Sequence, residues 1–340
     1  MTTFDDVTSR TWEDNQLFSV LIELTYRCNL DCFFCYNDLN LRGRPLTVAQ
    51  YETFLRDLAA MNVLSVTLSG GEPLAHPDFF AIGRLAREMG FVVRVKSNGH
   101  ALRGDLARRL RDEVDPFVIE TSLHGACAET HDRQTRVPGS FARLVDNVRG
   151  MLDLGMRVKI NSTLTLWNEN ETAEMYALCD SLGVPLRFDL QVSPRDDGDR
   201  SVMVIAPSAE GIRHLMAVEN ERWAQAGDDC APAPINAGAP SSKHCGAGSA
   251  GIAVDPYGNV YPCVQWRRAA GNLHERSIRE MWGDSFDAFR TETANAVGVV
   301  GAHPRGKFLS FCPGLAELLT GSSTTVPKEM ERIAEIVSPT

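Results

Sequence analysis

The sequence predicts an α/β chain: a partial (β/α)6 TIM barrel followed by a smaller domain. Three observations predict it. Six short runs rich in Val, Ile, Leu and Phe recur between about residues 18 and 190, helical patterns separate them, and the composition then changes to AGDDCAPAPINAGAPSSKH at 226–244. That last stretch reads as a linker or loop. Strands that alternate with helices pair in parallel, because a right-handed crossover returns the chain to the same end of the sheet. All strand C-termini then share one face, where α/β barrels place their chemistry. Six units fall short of the eight of a closed barrel and leave a lateral gap wide enough for a bulky substrate.

The strands are LFSVLIEL (17–24), VLSVTLS (63–69), FVVRVKS (91–97), FVIETSL (117–123), RVKINSTLTL (157–166) and PLRFDLQV (185–192). One helix opens at Thr47, with Gln50 three residues on as a capping box, and puts Tyr51, Phe54, Leu55 and Leu58 on one face. Another opens at Ser140 and carries Phe141, Leu144, Val145, Val148 and Leu152 at the same spacing. After the linker, GIAVDPYGNVYPC reads as a hairpin around a Pro-Tyr-Gly-Asn turn, SIREMWGDSFDAFRTET as helix, and 327–336 as a last short helix. The expected organisation is an N-terminal extension (1–17), the barrel (18–225), a small domain (226–322) and a C-terminal helix (323–340).

Composition narrows the function classes. A chain of 340 residues with 44% hydrophobic and 23% charged residues is neither collagen-like, nor a coiled coil, nor disordered. A net charge of -10 argues against a nucleic-acid partner, which selects a basic face. No window reaches the 18 apolar residues of a membrane span, and MTTFDDVTSRTWEDNQ lacks the pattern of a secretory signal, so the expected location is cytoplasmic with no membrane partner. Nine cysteines are too sparse for a disulfide scaffold, and their placement decides their meaning.

The first strand runs into TYRCNLDCFFCYND, which sets Cys28, Cys32 and Cys35 in a C-x3-C-x2-C array. A tetrahedral zinc site would want a fourth local Cys or His, whereas a [4Fe-4S] cluster can be held by three thiolates with one iron left open. With Tyr36 directly after the third cysteine, this motif resembles the signature of radical SAM enzymes. SGGEP (69–73) resembles that family's glycine-rich loop for the methionyl amino group of S-adenosylmethionine (SAM), and KSNG (96–99) and SLHG (122–125) end strands where the family places SAM contacts.

The resemblance implies cofactor contacts from Tyr36, Gly70, Gly71, Glu72, Pro73, Asn98, Ser122 and Asn161. Glycines let a backbone approach a charged ligand closely, and Glu72 offers an acceptor to an ammonium. Gly70 and Gly71 taken alone would only stop a strand, and Asn98 and Ser122 would only cap helices. Either Arg133 or Arg136 in HDRQTR could pair the SAM carboxylate, and spacing does not choose between them.

Cys245, twelve residues, Gly258, four residues and Cys263 resemble the opening of a SPASM domain. Only Cys312 follows, so the implied domain is a shortened, twitch-like one with one auxiliary [4Fe-4S] cluster on Cys230, Cys245, Cys263 and Cys312. Cys230, in the linker, could instead be a free thiol. Cys127 follows the fourth strand and could give a hydrogen atom to a substrate radical, although a free Cys also behaves as a small hydrophobe. Cys179, with Met175 and Leu182, reads as core. Asp189 could act as a base if strand register points it into the barrel. His124 and His131 read as structural, and PRDDGDR (194–200) as a solvated loop.

The resemblance implies reductive cleavage of SAM to a 5′-deoxyadenosyl radical and hydrogen abstraction from a ribosomally made peptide, giving a cross-link, oxidation or epimer. The implied subgroup is that of pyrroloquinoline quinone and mycofactocin maturation. About 17 residues before the first strand are too few for a fused leader-recognition domain, so a separate recognition protein is expected, with flavodoxin or ferredoxin as electron donor. The alternative is a twitch-type dehydrogenase or epimerase of a small molecule such as an aminoglycoside or sugar. A non-catalytic metal protein on the same fold is a third class, against which the triad together with GGEP argues.

Overall fold

A computed structural model describes residues 4–226 and 241–339. Six parallel strands, β1 (Ser19–Glu23), β2 (Ser65–Ser69), β3 (Val92–Lys96), β4 (Val118–Ser122), β5 (Val158–Thr163) and β6 (Leu186–Asp189), lie side by side in chain order. Val20, Ile22, Val66, Leu68, Val93, Val95, Ile119, Val158 and Ile160 alternate along them and are buried. They form the core that α2 (Val48–Ala60), α3 (Phe79–Glu88), α4 (Gly104–Arg109), α5 (Ala128–Thr135), α6 (Ser140–Asp153) and α7 (Thr172–Leu182) cover. The intervening positions face the other, concave side. This is the expected partial barrel.

The cap at Thr47 forms as the sequence predicts: its side chain accepts from the Gln50 N–H while the Gln50 side chain accepts from the Thr47 N–H, and Tyr51, Phe54, Leu55 and Leu58 are buried. On α6, Leu144, Val145 and Val148 are buried, with Phe141 and Leu152 packed at the margin. Cys179 lies in the core on α7.

Two features differ from expectation. A helix α1 (Phe4–Glu13) occupies the N-terminal extension. The hairpin of β7 (Gly251–Val254) and β8 (Asn259–Tyr261) forms, but β7 also pairs in parallel with β1, Ser19 opposite Gly251. With β9 (Gly271–Asn272) the C-terminal part therefore extends the barrel sheet to nine strands, in the order β6-β5-β4-β3-β2-β1-β7-β8-β9.

After α8 (Ala209–Ala226), the run SIREMWGDSFDAFRTET, expected as helix, divides at Gly283 into α9 (Ile278–Met281) and, beyond a 3-10 turn, α10 (Asp287–Ala302). α11 (Pro313–Thr320) packs with α10 in a second small core around Leu309, Phe311 and Leu315, and α12 (Lys328–Val337) supplies the tail helix. No helix among the described residues is long and apolar enough to cross a membrane.

Candidate active site

The loop after β1 carries Cys28, Cys32 and Cys35, and two neighbouring loops and a helix hold it. The Gly71 N–H donates to Thr25 O at 2.7 Å and the Glu72 N–H to Arg27 O at 2.9 Å, which stitches the SGGEP loop to the chain just before Cys28. Gly70 sits at φ +135, a conformation reserved for glycine. From the loop after β3, Asn98 Nδ2 donates to Asn29 Oδ1 at 2.8 Å and lies 3.6 Å from Cys28 Sγ. From α5, Thr135 O and Gln134 O accept from the N–H groups of Asp31 and Phe33.

The Glu72 carboxylate is hydrogen-bonded within the protein. It is 2% exposed and accepts from Ser97 Oγ, from the Asn98 N–H at 2.9 Å and from the Leu74 N–H. Burial pushes its pKa up to about 7. Its acceptor capacity organises the KSNG loop, and Pro73 starts a 3-10 turn behind it.

Arg136 pairs with Asp31 at 3.4 Å and lies over the Phe33 ring, bracing the cysteine loop. Arg133 stacks on Trp167, which touches Phe33, and has no carboxylate within ion-pair distance among the described residues. Arg133 is thus the freer of the two cations. Asn161 Nδ2 donates to Glu120 Oε2 on the concave face, and Ser122 is its register partner.

The eight described cysteines are free thiols. Burial raises the pKa of Cys28, Cys32 and Cys35, Cys32 to about 12, and the thiols of Cys28 and Cys35 add to the effect on Cys32. Cys245, Cys263 and Cys312, from three separate loops, form a second set: burial first and Cys263 next push Cys312 up to about 12, and Cys245 rises to about 11. Among the described residues no three such side chains close around one metal point in the thiol form. Free, mutually close thiols that lose their protons on metal binding nonetheless make a donor set that fits iron–sulfur ligation. Cys230 lies outside the described residues.

Cys127 is exposed at the start of α5, with Sγ 3.8 Å from Thr130 Oγ1, and among the described residues no hydrogen bond joins it to either thiol set. Asp189 ends β6 on the concave face, where its desolvated surroundings raise its pKa and the Gln191 N–H donates to it. His124 and His131 are buried, their rings stacked at 5.9 Å, and burial lowers them to about 3 and about 4. They are neutral packing groups.

The loop at 194–200 is not uniformly solvated. Asp196 turns inward into an ionic cluster that the sequence does not announce. Arg267 grips the fully buried Glu23 at the end of β1 through two bonds of 2.8 and 2.9 Å, and its Nε lies 2.9 Å from Asp196 Oδ2 without an aligned N–H. The hydroxyls of Tyr26 and Tyr36, on either side of the cysteine array, donate to the same Glu23 carboxylate at 3.0 and 3.3 Å, and the Asp196 N–H donates to Tyr36 O. Tyr36 therefore anchors the cysteine loop through its hydroxyl.

A partial parallel barrel with a three-cysteine loop at the C-terminal end of its first strand, followed by a cysteine-bearing domain on the same sheet, defines an iron–sulfur enzyme class. The family model of the radical SAM superfamily matches residues 22–179, and that of the SPASM iron–sulfur cluster-binding domain matches 245–299. The chain belongs to the radical SAM superfamily, and its cofactors are a SAM-binding [4Fe-4S] cluster, SAM and an auxiliary cluster.

Among its relatives, the AdoMet-dependent heme synthase of Methanosarcina barkeri is 28% identical over 79% of this chain and 82% of its own. The pre-heme d1 synthase of Dinoroseobacter shibae is 30% identical over 77% and 72%. Mycofactocin maturase MftC of Mycobacterium ulcerans is 30% identical over 76% and 73%. The solved structure of Streptococcus suis SuiB bound to precursor peptide SuiA shares the fold, with a TM-score of 0.66 at 14% identity over 84% of this chain and 70% of its own.

Proposed function

We propose that this radical SAM enzyme takes a hydrogen atom from a ribosomally made peptide. The observation that carries the reading is the likeness, over about three quarters of the chain, to mycofactocin maturase MftC, and with it to the PqqA peptide cyclase of Ruegeria pomeroyi at 28% identity over 80% of the chain. A second reading, a tetrapyrrole substrate, draws on the likeness to the heme and pre-heme d1 synthases.

Cys28, Cys32 and Cys35 would hold the first cluster, and Cys245, Cys263 and Cys312 three corners of the auxiliary one. When bound, the first cluster supplies the low-potential electron that cleaves SAM and so the carbon radical that removes a substrate hydrogen. The protein's own part is placement. The Gly70–Gly71 turn, Asn98, Ser122 and Asn161 line the C-terminal rim, and Arg133 is the cation free to pair the SAM carboxylate. Asp189 faces the lumen as a base, Cys127 is a donor only if the chain around α5 moves, and flavodoxin or ferredoxin supplies electrons.

Anaerobic reconstitution followed by iron and sulfide analysis tests this. About eight irons per chain should fall to about four in a Cys28→Ala, Cys32→Ala, Cys35→Ala variant, with SAM cleavage lost. No iron in the wild type, or cleavage surviving in the triple variant, sinks the reading.

A further inference from the structure

The concave face of the barrel carries an excess of positive charge in a chain of net charge -10. Strand register puts Lys96 beside Glu120 and Glu120 beside Lys159, all on the face opposite Val95, Ile119 and Ile160. Arg94 is two residues before Lys96 on the same face. One pair further along, Asn161 stands beside Arg187, whose neighbour Phe188 points the other way against Tyr176 of α7.

On β3–β6 four cations thus share this face with two carboxylates, those of Glu120 and Asp189, while the Glu23 carboxylate on β1 is taken by Arg267. Glu120 is already engaged: Arg94 and Lys96 pair with it and Asn161 donates to it. Lys159 and Arg187 form no ion pair within 4.0 Å among the described residues, although the Arg187 charge reaches Asp189 and Glu219. Desolvation and then the charges of Arg187, Arg94 and Lys96 oppose the ammonium of Lys159, while Glu120 supports it. Lys159 is half-buried while Arg187 and Lys96 are exposed, and cations gathered on one face repel one another unless an anion joins them. The face leads onto the chemistry, since Lys96 directly precedes the Ser97–Asn98 segment at Cys28.

We propose that Lys159 and Arg187, with Lys96 beside them, bind carboxylates of the substrate, so that the molecule entering the lumen is a polycarboxylate. The inference rests on the function proposed above. Acidic side chains supply the carboxylates of a peptide and ring acid groups those of a tetrapyrrole. Arg187 offers a planar fork and Lys159 a point charge, a pairing suited to two carboxylates rather than to one apolar contact.

The test uses the reconstituted full chain and two matched probe pairs: a fluorescein-labelled peptide with four Glu against the same peptide with four Gln, and coproporphyrin III against its tetramethyl ester. The acidic member of one pair binds about tenfold tighter than its neutral mate, and Lys159→Gln or Arg187→Gln each removes most of that preference. The neutral mate's affinity and the iron content stay at wild-type values, and Lys159→Arg restores the preference. The pair that discriminates identifies the source of the carboxylates.

The proposal is overturned if neither pair discriminates in iron-replete protein. It is equally overturned if the preference survives both substitutions, or if Arg56→Gln, on the outer helix α2 and 68% exposed, removes as much of it. Failure of the functional reading is a separate result, because it shows as missing iron and uncleaved SAM before any probe is added.

Discussion

Gly70 shows how far one residue constrains the site. A Cβ built there would lie 2.3 Å from Thr25 O, at a φ of +135 that L side chains rarely adopt. At Gly71 the backbone clash alone recurs, with Arg27 O at 2.6 Å. Both glycines are needed because the SGGEP loop lies backbone to backbone against the strand exit that leads to Cys28. Gly70→Ala should cost about 2 kcal/mol or more, since strain at a glycine-only conformation adds to the backbone clash. Urea unfolding of the purified chain measures it, and a midpoint unchanged from wild type would mean that the loop shifts without cost. Glu72 makes the same point from the polar side: a buried carboxylate is retained because two backbone N–H groups and Ser97 need it.

At the scale of elements, α5 and the loop before it form a polar core with a definite response to acid. His131 Nδ1 accepts from the His124 N–H, Gln134 and Asn168 donate to His124 O, and Asp132 and His100 are the titratable neighbours of His131. Both histidines titrate below 6.5 in the native state and near it when unfolded, so the unfolded chain binds more protons on acidification. Stability is therefore complete above about pH 6.5 and lost as pH falls towards 4, at about 1.4 kcal/mol per pH unit for one such histidine. The urea midpoint should drop between pH 7 and pH 5, and His131→Gln, which keeps an acceptor for the His124 N–H, should flatten that drop. An equal drop in both proteins would place the acid sensitivity elsewhere. The six barrel strands and the Thr47 cap were legible in the sequence because period and capping chemistry are local signals. The pairing of β7 with β1 was not, since a hairpin reads the same whether or not a distant strand lies beside it. The cysteine triad was legible by spacing, whereas the lumen cations depend on strand register, which no short stretch of sequence encodes.

At the scale of the molecule, the barrel and the cysteine-bearing C-terminal part are joined by one sheet and by one ionic cluster. Glu23 and Arg267 are 244 residues apart, which is why neither stands out as half of a pair in the sequence. Glu23 is 0% and Arg267 10% exposed, so the pair is desolvated on both sides. Two carboxylates face one guanidinium, and burial with the nearby Glu23 charge pushes Asp196 up to about 7 despite the attraction of Arg267. Removing the cation alone strands a buried charge, a loss of about 3–5 kcal/mol, while removing both charges together is often close to neutral. Arg267→Met should therefore lower the unfolding midpoint steeply, and Glu23→Gln with Arg267→Met should recover most of it at pH 6, where Asp196 takes up a proton and the Gln amide accepts from one tyrosine hydroxyl and donates to the other. Urea unfolding of the two variants decides the matter. A double variant as unstable as the single one would show that the guanidinium, which also stacks on Tyr261, holds the two parts by packing rather than by charge.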